Sequence, residues 1–538
     1  MAWAAISSSN TSPGWGQLCS LRVTHSPNNN YLTLTVHSGR STGETGYGSE
    51  EQMALVQAVW KLAQQNSKTL TTFRLDQSFA KPRILLLSSD TTEAMYNALK
   101  NLPNLTELEI ANASADLDKV LELTSPHLEC LRAPGLFQMM GTDGQLLHGT
   151  YRNIREVELL DETDTRAVFS LLRYLPNLES LSLSEGFDQE FFQNDEVETM
   201  EARTRMDNTP NRSLHKLRLF NARFQDTRIM AIILAWIPEL REFSCELLKA
   251  DMSKALAEHC EHLEIVRELD SFGGRYDART NPRPIDTVLP LLRGCPSLKV
   301  LDTVTHRVLG DSFVNCEIAC LERLETFRCQ IVGMYWLDNC PVVHRVLTGY
   351  NGDDEGVEGS DQWPGLEADK KEFFDLVDRN LKRYREVYKQ LSKMTQLRVL
   401  ELGQEYRTVY EPYDGSEGDR IAREIHSFED ELNVHPEYNW YREPIEDTLT
   451  LTLGSGFDQL EALKELEVFG FEGTDHQFEK ADLEWMAEKW PKLKVMRGIH
   501  EDVLPRVAPD ANRTELREYM QLLRPDVVHE TLSKSFYV

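Results

Sequence analysis

The feature that most constrains this chain is a short apolar motif, Leu-x-x-Leu-x-Leu, that recurs along most of its length. In each copy the second and third apolar residues are two positions apart, which is the spacing of side chains on one face of a β-strand. A helix would need spacings of three and four residues instead. Thirteen segments carry the motif or a close variant, and they begin at Leu70, Leu105, Leu128, Ile154, Leu178, Leu214, Leu240, Leu263, Leu298, Leu324, Leu397, Leu463 and Leu493.

The distance between copies predicts a repeat architecture. From Leu105 to Leu324 the motif starts are 23, 26, 24, 36, 26, 23, 35 and 26 residues apart. Most of these spacings fall within the period of about 20–29 residues that is typical of leucine-rich repeats. Between copies lie amphipathic segments such as 164–175 and 228–237, and a proline that ends the helix follows each of them. We therefore predict an α/β leucine-rich-repeat solenoid, a horseshoe with parallel strands on its concave face and helices on its convex face.

Departures from this period divide the chain into segments. We predict an N-terminal strand-containing segment, partly flexible, at 1–50; a solenoid at 51–345 with an insertion at 184–212; an acidic loop plus a long helix at 346–396; C-terminal repeats at 397–505 with an insertion at 404–444; and a C-terminal tail at 506–538. Insertions in repeat proteins lie in loops, and loops carry much of the binding function of a fold. The insertions and the acidic stretch 350–369 are therefore predicted contact elements.

The overall charge limits the classes of partner. The chain has 58 Lys and Arg against 87 Asp and Glu, a formal net charge of −29, which repels phosphate backbones and anionic lipids. We predict no nucleic-acid partner and no membrane partner. The longest apolar run, 229–237, is too short to span a bilayer, and the N-terminus lacks the pattern of a secretory signal. Nine scattered cysteines fit a reduced compartment, so we expect a cytoplasmic or nuclear protein.

Several motif copies are preceded by cysteine or proline. The segments Cys295-Pro-Ser-Leu298, Cys260-Glu-His-Leu263 and Leu175-Pro-Asn-Leu178 resemble the cysteine-containing repeats of F-box/leucine-rich-repeat proteins, within the ribonuclease-inhibitor-like superfamily. The segments 388–403, 449–464 and 484–498, the last reading Glu-Trp-Met-Ala-Glu-Lys-Trp-Pro-Lys-Leu-Lys-Val-Met-Arg-Gly, resemble large fungal families of F-box and repeat proteins. The resemblance covers roughly residues 50–500.

Members of that family use an N-terminal F-box to bind a Skp adaptor of a cullin ubiquitin ligase, and their repeats select the substrate. No Leu-Pro-x-Glu-Ile-Leu-like opening precedes Leu70, so the F-box itself is not recognisable here. The resemblance implies a substrate-recognition or adaptor protein with a protein partner, and also a Skp-type adaptor as partner if an upstream F-box exists. A scaffold unrelated to ubiquitin ligases is the alternative. A GTPase regulator is a more distant alternative, because GTPase-activating proteins of the Ran type are also solenoids.

Motifs that would indicate catalysis or calcium binding are incomplete. The segment Gly39-Arg-Ser41-Thr-Gly43 has the spacing of a nucleophile elbow, but further glycines follow where the helix of that motif should begin. The acidic run 351–356 imitates the opening of a calcium loop, but Gln362 stands where a bidentate glutamate is required. We predict that the chain is not an enzyme, with no catalytic residue and no cofactor.

The densest group of potential soft metal ligands is Cys316, Cys320, Cys329, Cys340 and His344. Zinc sites usually need paired ligands two to four residues apart, and this group only approaches that spacing. Cys329 falls on an inward strand position of its motif, where a small apolar residue packs the core. Core packing is the better interpretation for these cysteines, and for Cys260 and Cys295, so we predict no metal site.

The residue between the second and third apolar positions of each motif, here called the slot residue, should face the concave surface. The slot residues are Arg74, Glu109, Arg132, Glu158, Ser182, Arg218, Ser244, Arg267, Asp302, Arg328, Glu401, Glu467 and Arg497. Arginine is enriched at binding hot spots and pairs well with carboxylates. The predicted partner-binding residues are therefore Arg74, Arg132, Arg218, Arg267, Arg328 and Arg497, with Arg218, Arg267 and Arg328 at the centre. The alternative is that these arginines only neutralise the acidic residues beside them.

Overall fold

The computed structural model describes residues 20–25, 32–37, 60–74, 89–110, 117–124, 126–133, 151–159, 165–183, 211–219, 227–269, 285–333, 366–403, 448–471, 474, 478–499 and 511–530. The chain forms two compact units, Met1–Arg275 (unit 1) and Tyr276–Val538 (unit 2).

Unit 1 is built on a sheet whose strands follow the order of the chain. The strands are β1 Ser20–His25, β2 Leu32–His37, β3 Leu70–Arg74, β4 Glu107–Glu109, β5 Cys130–Ala133, β6 Glu156–Leu159, β7 Ser180–Leu183, β8 Lys216–Leu219, β9 Glu242–Cys245 and β10 Ile265–Glu268. β1 and β2 are antiparallel, and every later neighbour pair up to β9 and β10 is parallel. From β3 onward each strand corresponds to one copy of the motif.

The helices between the strands cover the core face of this sheet. They are α1 Ser89–Leu99, α2 Leu117–Leu123, α3 Thr165–Tyr174, α4 Thr227–Ala235 and α5 Ala250–His259. In α3, Val168, Leu171 and Leu172 follow the three- and four-residue spacing of one helix face, and all three are buried. Against them lie motif residues such as Leu181 and Leu183, which alternate along β7 with half-buried serines. A single strand and helix could not bury these faces alone, so stacking of neighbouring repeats stabilises the unit.

Asparagine side chains link consecutive repeats at the turn that precedes the strand. The amide of Asn104 donates to the Lys68 carbonyl at 2.8 Å, and the amide of Asn177 donates to the Arg152 carbonyl at 2.7 Å. Asn211 is buried, donates to the carbonyls of Leu172 and Leu175 at 3.1 Å each, and accepts from backbone amides of its own turn. The Asn211 bonds reach carbonyls at the C-terminal end of α3, where a helix leaves its last carbonyls without intrahelical partners.

Unit 2 has the same construction, with parallel strands that again follow the order of the chain. Its strands are β11 Val300–Leu309, β12 Thr326–Val332, β13 Val399–Glu401, β14 Val468–Gly470, β15 Val495–Arg497 and β16 Val528–Glu530. Its helices are α6 Leu289–Gly294, α7 Gly310–Val314, α8 Leu366–Leu391, α9 Lys480–Lys489 and α10 Ala511–Leu523, with 3₁₀ turns at Leu453–Ser455 and Phe457–Ala462. All strand pairs from β11 to β16 are parallel.

Aromatic residues fill the core of unit 2 between α8, α9 and the sheet. Phe457 is fully buried, and its ring centroid lies 5.8 Å from that of Tyr388, 5.7 Å from that of Phe469 and 5.5 Å from that of Trp490. The indole of Trp490 donates to the Leu460 carbonyl at 3.1 Å, so its one polar atom is satisfied. This cluster fixes the 3₁₀ turns against the C-terminal half of α8.

The predicted fold class is confirmed in both units: parallel strands, one per motif, carry helices on one face. One motif assignment is wrong. Leu400 is paired with Phe469 and Glu401 with Gly470, so the repeat that was assigned to begin at Leu463 begins at Leu466 and has Gly470, not Glu467, as its slot residue. α10 and β16 add a further repeat unit within the segment predicted as a C-terminal tail. Within the described residues, no helix is both long and apolar enough to cross a membrane.

Candidate functional site: the strand faces

In each unit, two rows of side chains project from the face of the strands opposite the core. One is the slot row, and the other, two residues earlier in each strand, is here called the flanking row. In unit 1 the slot row is Glu109, Arg132, Glu158, Ser182, Arg218, Ser244 and Arg267. The flanking row is Glu107, Cys130, Glu156, Ser180, Lys216, Glu242 and Ile265. Parallel pairing in register places each row as a line across the strands.

On β4 to β6 these rows form an acidic region around Arg132. The Arg132 guanidinium lies 2.9 Å from Glu158, 3.7 Å from Glu109 and 3.9 Å from Glu107. Burial lowers the pKa of Arg132, but the nearby carboxylates, Glu158 foremost, raise it by more, so the net shift is upward. Glu156 is exposed beside this group. Three carboxylates share the Arg132 guanidinium and Glu156 adds a fourth negative charge, so the formal charge of the region is −3.

On β8 to β10 the same rows form a basic region. Lys216 lies 2.9 Å and Arg218 3.4 Å from the carboxylate of Glu242. Burial raises the pKa of Glu242, but Lys216 and Arg218 lower it by more, so the net shift is downward. With Arg267 this region has three cations and one carboxylate, a formal charge of +2. Between the two regions β7 contributes only serines, Ser180 and Ser182.

Arg218 and Arg267 are the most available arginines of the predicted set. The Arg218 side chain keeps 39% of its surface exposed, and Arg267 is exposed with no ion pair to any described residue. Both are paired in register with Ser244, which is buried between them and too small to separate their guanidinium groups. Two strand spacings put their Cα atoms about 10 Å apart. The two side chains can therefore converge on one acidic group.

The other arginines differ in how much they are occupied by neighbours. Arg132 is 30% exposed and already paired with glutamates. Arg74 ends β3, and its side chain lies outside the described residues. Arg328 and Arg497, in unit 2, are 12% and 14% exposed. The sequence placed these arginines on the strand face but did not show which of them are free.

In unit 2 the slot row forms a continuous ion-pair network. Arg328 donates to Asp302 at 2.9 Å and to Glu401 at 2.5 Å. Arg497 donates to the other oxygen of Glu401 and, at 3.3 Å, to Glu530. Glu401 is only 2% exposed, although it lies on the face away from the core. Burial lowers the pKa of Arg328, but Glu401 and Asp302 raise it by more, so Arg328 remains charged.

Gly470 makes this network possible. It lies on β14, between Glu401 on β13 and Arg497 on β15. A Cβ atom at Gly470 would stand 2.6 Å from Cγ of Glu401, closer than real Cβ contacts allow. Because no side chain is present there, Glu401 can extend over β14 and reach Arg497. The paired arginines of unit 2 therefore stabilise the sheet and leave little charge for a partner.

Sequence reasoning missed the flanking row. Lys216, Glu242 and Glu107 complete the charged regions, and each stands two positions before a slot residue. That spacing was available in the sequence, because side chains two apart on a strand share a face.

The cysteines are placed as the core interpretation predicts. Cys260, Cys295, Cys320 and Cys329 are all buried and carry free thiols. Among the described residues no group of three or more His, Cys, Asp or Glu side chains could hold a metal ion. Cys340, His344, the segment 39–43, the acidic run 351–356 and most of the three predicted contact insertions lie outside the described residues.

Comparisons with known proteins find similarity among solved structures but not among family models or curated proteins. No protein-family model matches the chain, and no curated protein matches it significantly. Among solved structures, a leucine-rich-repeat protein of Leptospira interrogans is similar over 90% of this chain and 93% of its own, with 12% sequence identity and a TM-score of 0.30. A likeness at this level says nothing about function, so the functional argument rests on the strand faces.

Proposed function

We propose that this chain is a protein-interaction protein whose unit 1 strand face binds an extended segment of a partner. The observation that carries the proposal is the separation of charge along that face, with the acidic region on β4 to β6 and the basic region on β8 to β10. In the slot row of unit 2, by contrast, cations and carboxylates neutralise one another from strand to strand, whereas each region of unit 1 keeps a net charge of one sign.

The separation sets the length of the segment that fits. From β5 to β9 is four strand spacings, about 19 Å, which an extended peptide covers in about six residues. We expect the bound segment to carry basic residues over the acidic region and acidic residues, about six positions away, over Arg218 and Arg267. A nucleic acid does not meet this requirement, because its phosphates would also face the four carboxylates around Arg132.

The test is the double charge reversal Arg218→Glu with Arg267→Glu. Partners recovered by quantitative affinity purification of the full chain should be lost, because two attractive contacts become repulsive. The matched control is Lys100→Glu with Lys254→Glu, which changes the net charge equally at exposed positions away from the strand face. Recovery of the same partners by the Arg218/Arg267 variant would overturn the proposal, and equal loss in the control would show a general charge effect.

A second variant tests the acidic region. Glu156→Lys with Glu158→Lys removes the acidic excess without touching the basic region, and it should also abolish capture if one segment spans both. A partner that is lost with the arginine variant yet retained here would bind the basic region alone, and the proposed polarised segment would be wrong.

The finer hypothesis is a substrate-recognition subunit or adaptor of the F-box type, and it is supported by the cysteine- and proline-preceded motifs at Cys260, Cys295 and Leu175. Its test is the sequence of the transcript's 5′ end together with co-purification of a Skp-type adaptor. The scaffold alternative predicts partner capture without that adaptor. A GTPase regulator would be identified by stimulated GTP hydrolysis, whereas we propose a non-enzymatic role.

A further inference from the structure

We propose that a basic groove beside α8, on a different surface from the strand faces, binds an acidic segment of a partner protein. The groove has a volume of about 390 Å³ and lies between the C-terminal half of α8 and the 3₁₀ turns. α8 contributes Lys382, Arg385 and Lys389, which recur every three and four residues and therefore share one helix face. Leu453 supplies an apolar contact, and Glu386 and Asp458 also line it.

The three cations are exposed, and none is engaged in an ion pair with any residue that the structure describes. Arg383, on the same helix, shows the contrast. Its guanidinium pairs with Asp311 and donates to the Gly333 carbonyl, so it ties α8 to the rest of unit 2. Lys382, Arg385 and Lys389 make no comparable ion pair within the part of the chain that the structure describes. In a chain with a net charge of −29, these three cations on one groove can attract an acidic ligand.

The helix dipole does not account for this cluster. Cations stabilise a helix when they lie in its last turn, near the unpaired carbonyls. Lys389 is in the last turn of α8, but Lys382 and Arg385 lie one to two turns earlier. Lys382 and Arg385 therefore lie along the groove and not at the end of the helix.

The stem of Arg385 packs on the turn at Gly456. Gly456 has a φ of +99°, and a Cβ atom there would stand 2.6 Å from Cγ of Arg385, so the arginine stem packs directly on the turn. The Gln459 side chain also donates to the Arg385 carbonyl at 3.1 Å. The contact restricts the stem of Arg385, which therefore loses less conformational entropy on binding than a stem without it.

The mixed charge of the lining selects the kind of ligand. Three cations and two carboxylates give the groove a formal charge of only +1, so a uniform polyanion would meet Glu386 and Asp458 as well. A protein segment can place carboxylates opposite the cations and an apolar side chain on Leu453. Arg385 and Lys389 are separated by about 6 Å along the axis, close to the spacing of about 6.7 Å between alternate residues in an extended chain, and Lys382 lies about 4.5 Å beyond Arg385.

The test uses a short fluorescein-labelled peptide of alternating Glu and Ser with a single Leu, titrated with the full chain. We expect at least tenfold weaker binding to Lys382→Glu with Lys389→Glu, a variant that leaves the packed Arg385 in place. The control Lys100→Glu with Lys254→Glu should change the affinity less than twofold, since both lysines lie in unit 1. No binding to the unaltered chain, or equal loss in both variants, would overturn the proposal.

A charge-swapped peptide distinguishes the loss of charge pairing from misfolding of the variant. A peptide with Lys in place of Glu should bind the Lys382/Lys389 variant more tightly than it binds the unaltered chain, which an unfolded variant would not show. Single-stranded RNA and inorganic phosphate are tested as ligands in the same way. If either binds through these lysines while the acidic peptide does not, the ligand is a phosphate group and the proposal is wrong. Failure here leaves the strand-face proposal untouched, because the two surfaces share no residue.

Discussion

Glu401 is a carboxylate on the solvent-side row of a sheet that is nevertheless almost completely covered. Two arginines from strands on either side, Arg328 and Arg497, cover and neutralise it, and Gly470 leaves the space that its side chain occupies. A buried carboxylate is tolerated only when its charge is paired and its oxygens accept hydrogen bonds. The stability of unit 2 therefore depends on each member of this group.

Gly470→Ala should destabilise the protein by about 1–3 kcal/mol, because the added methyl group would force Glu401 away from its arginines. The control is Gly454→Ala, where the nearest atom to an added Cβ is Thr452 Oγ1 at 3.8 Å, and its effect should stay within about 0.5 kcal/mol. Urea unfolding followed by tryptophan fluorescence measures both. Equal effects of the two substitutions would show that the space above Gly470 is not required.

Arg328→Met should destabilise by about 3–5 kcal/mol, because it removes one of the two cations that pair with the buried Glu401. Arg267→Met should change stability by no more than about 0.5 kcal/mol, because Arg267 is exposed and makes no ion pair with any described residue. The same urea titration compares them. A stability loss at Arg267 as large as that at Arg328 would contradict this division of the arginines.

This division could not be predicted from the motif. Arg267 and Arg328 occupy the same slot position in their repeats, so local sequence treats them alike. What separates them is the residue on the neighbouring strand, which is Ser244 beside Arg267 and Glu401 beside Arg328. In the second case the partner is 73 residues away in sequence, across insertions that break the repeat period.

At the scale of elements, two buried cysteines occupy the corner where a helix turns into the next strand. Cys260 follows α5 and Cys295 follows α6, and both amides donate to a carbonyl of the last helical turn. Burial raises the pKa of Cys295 to about 12, and burial likewise raises the pKa of Cys320 to about 12. These thiols pack the interior as small apolar groups.

Native-state labelling with iodoacetamide at pH 8 should therefore spare Cys295 and Cys320. At that pH a thiol with a pKa of about 12 is ionised in about one molecule in ten thousand, and the thiolate is the reactive form. Cys130 lies half-exposed in the flanking row and should react first among the described cysteines. Peptide mass spectrometry before and after urea unfolding measures the order. Modification of Cys295 as fast as that of Cys130 in the native protein would show that the corners open.

The strands could be predicted because the inward residues of each strand are two positions apart. The register between neighbouring strands could not always be predicted. Leu463-x-x-Leu466-x-Val468 and Leu466-x-x-Phe469-x-Phe471 overlap by three residues, and both satisfy the motif. Only the parallel pairing of Phe469 with Leu400 decides between them. β16 escaped prediction for a different reason, because Asp526 stands where its motif would begin with leucine. Long-range pairing, and not local periodicity, fixes both elements.

At the scale of the whole molecule, a net charge of −29 opposes the approach of any acidic ligand to the basic groove. This repulsion and the attraction exerted by the groove act over different distances. Repulsion by the whole chain operates at long range, and the attraction of Lys382, Arg385 and Lys389 operates at contact. Salt screens the long-range part first, since the Debye length is about 30 Å at about 0.01 M, about 10 Å at about 0.1 M and about 3 Å at about 1 M.

Binding of the acidic peptide to the groove should therefore depend on salt in two opposite ways. Between about 0.01 and 0.1 M the association rate constant should rise several-fold, because the repulsive field of the chain is screened while the contacts are not. Between about 0.1 and 1 M the affinity should fall as the contacts themselves are screened. Stopped-flow fluorescence with the labelled peptide measures both phases. A rate constant that falls steadily with salt would mean that the peptide meets a locally attractive field at every distance, and that the charge of the whole chain does not govern its approach.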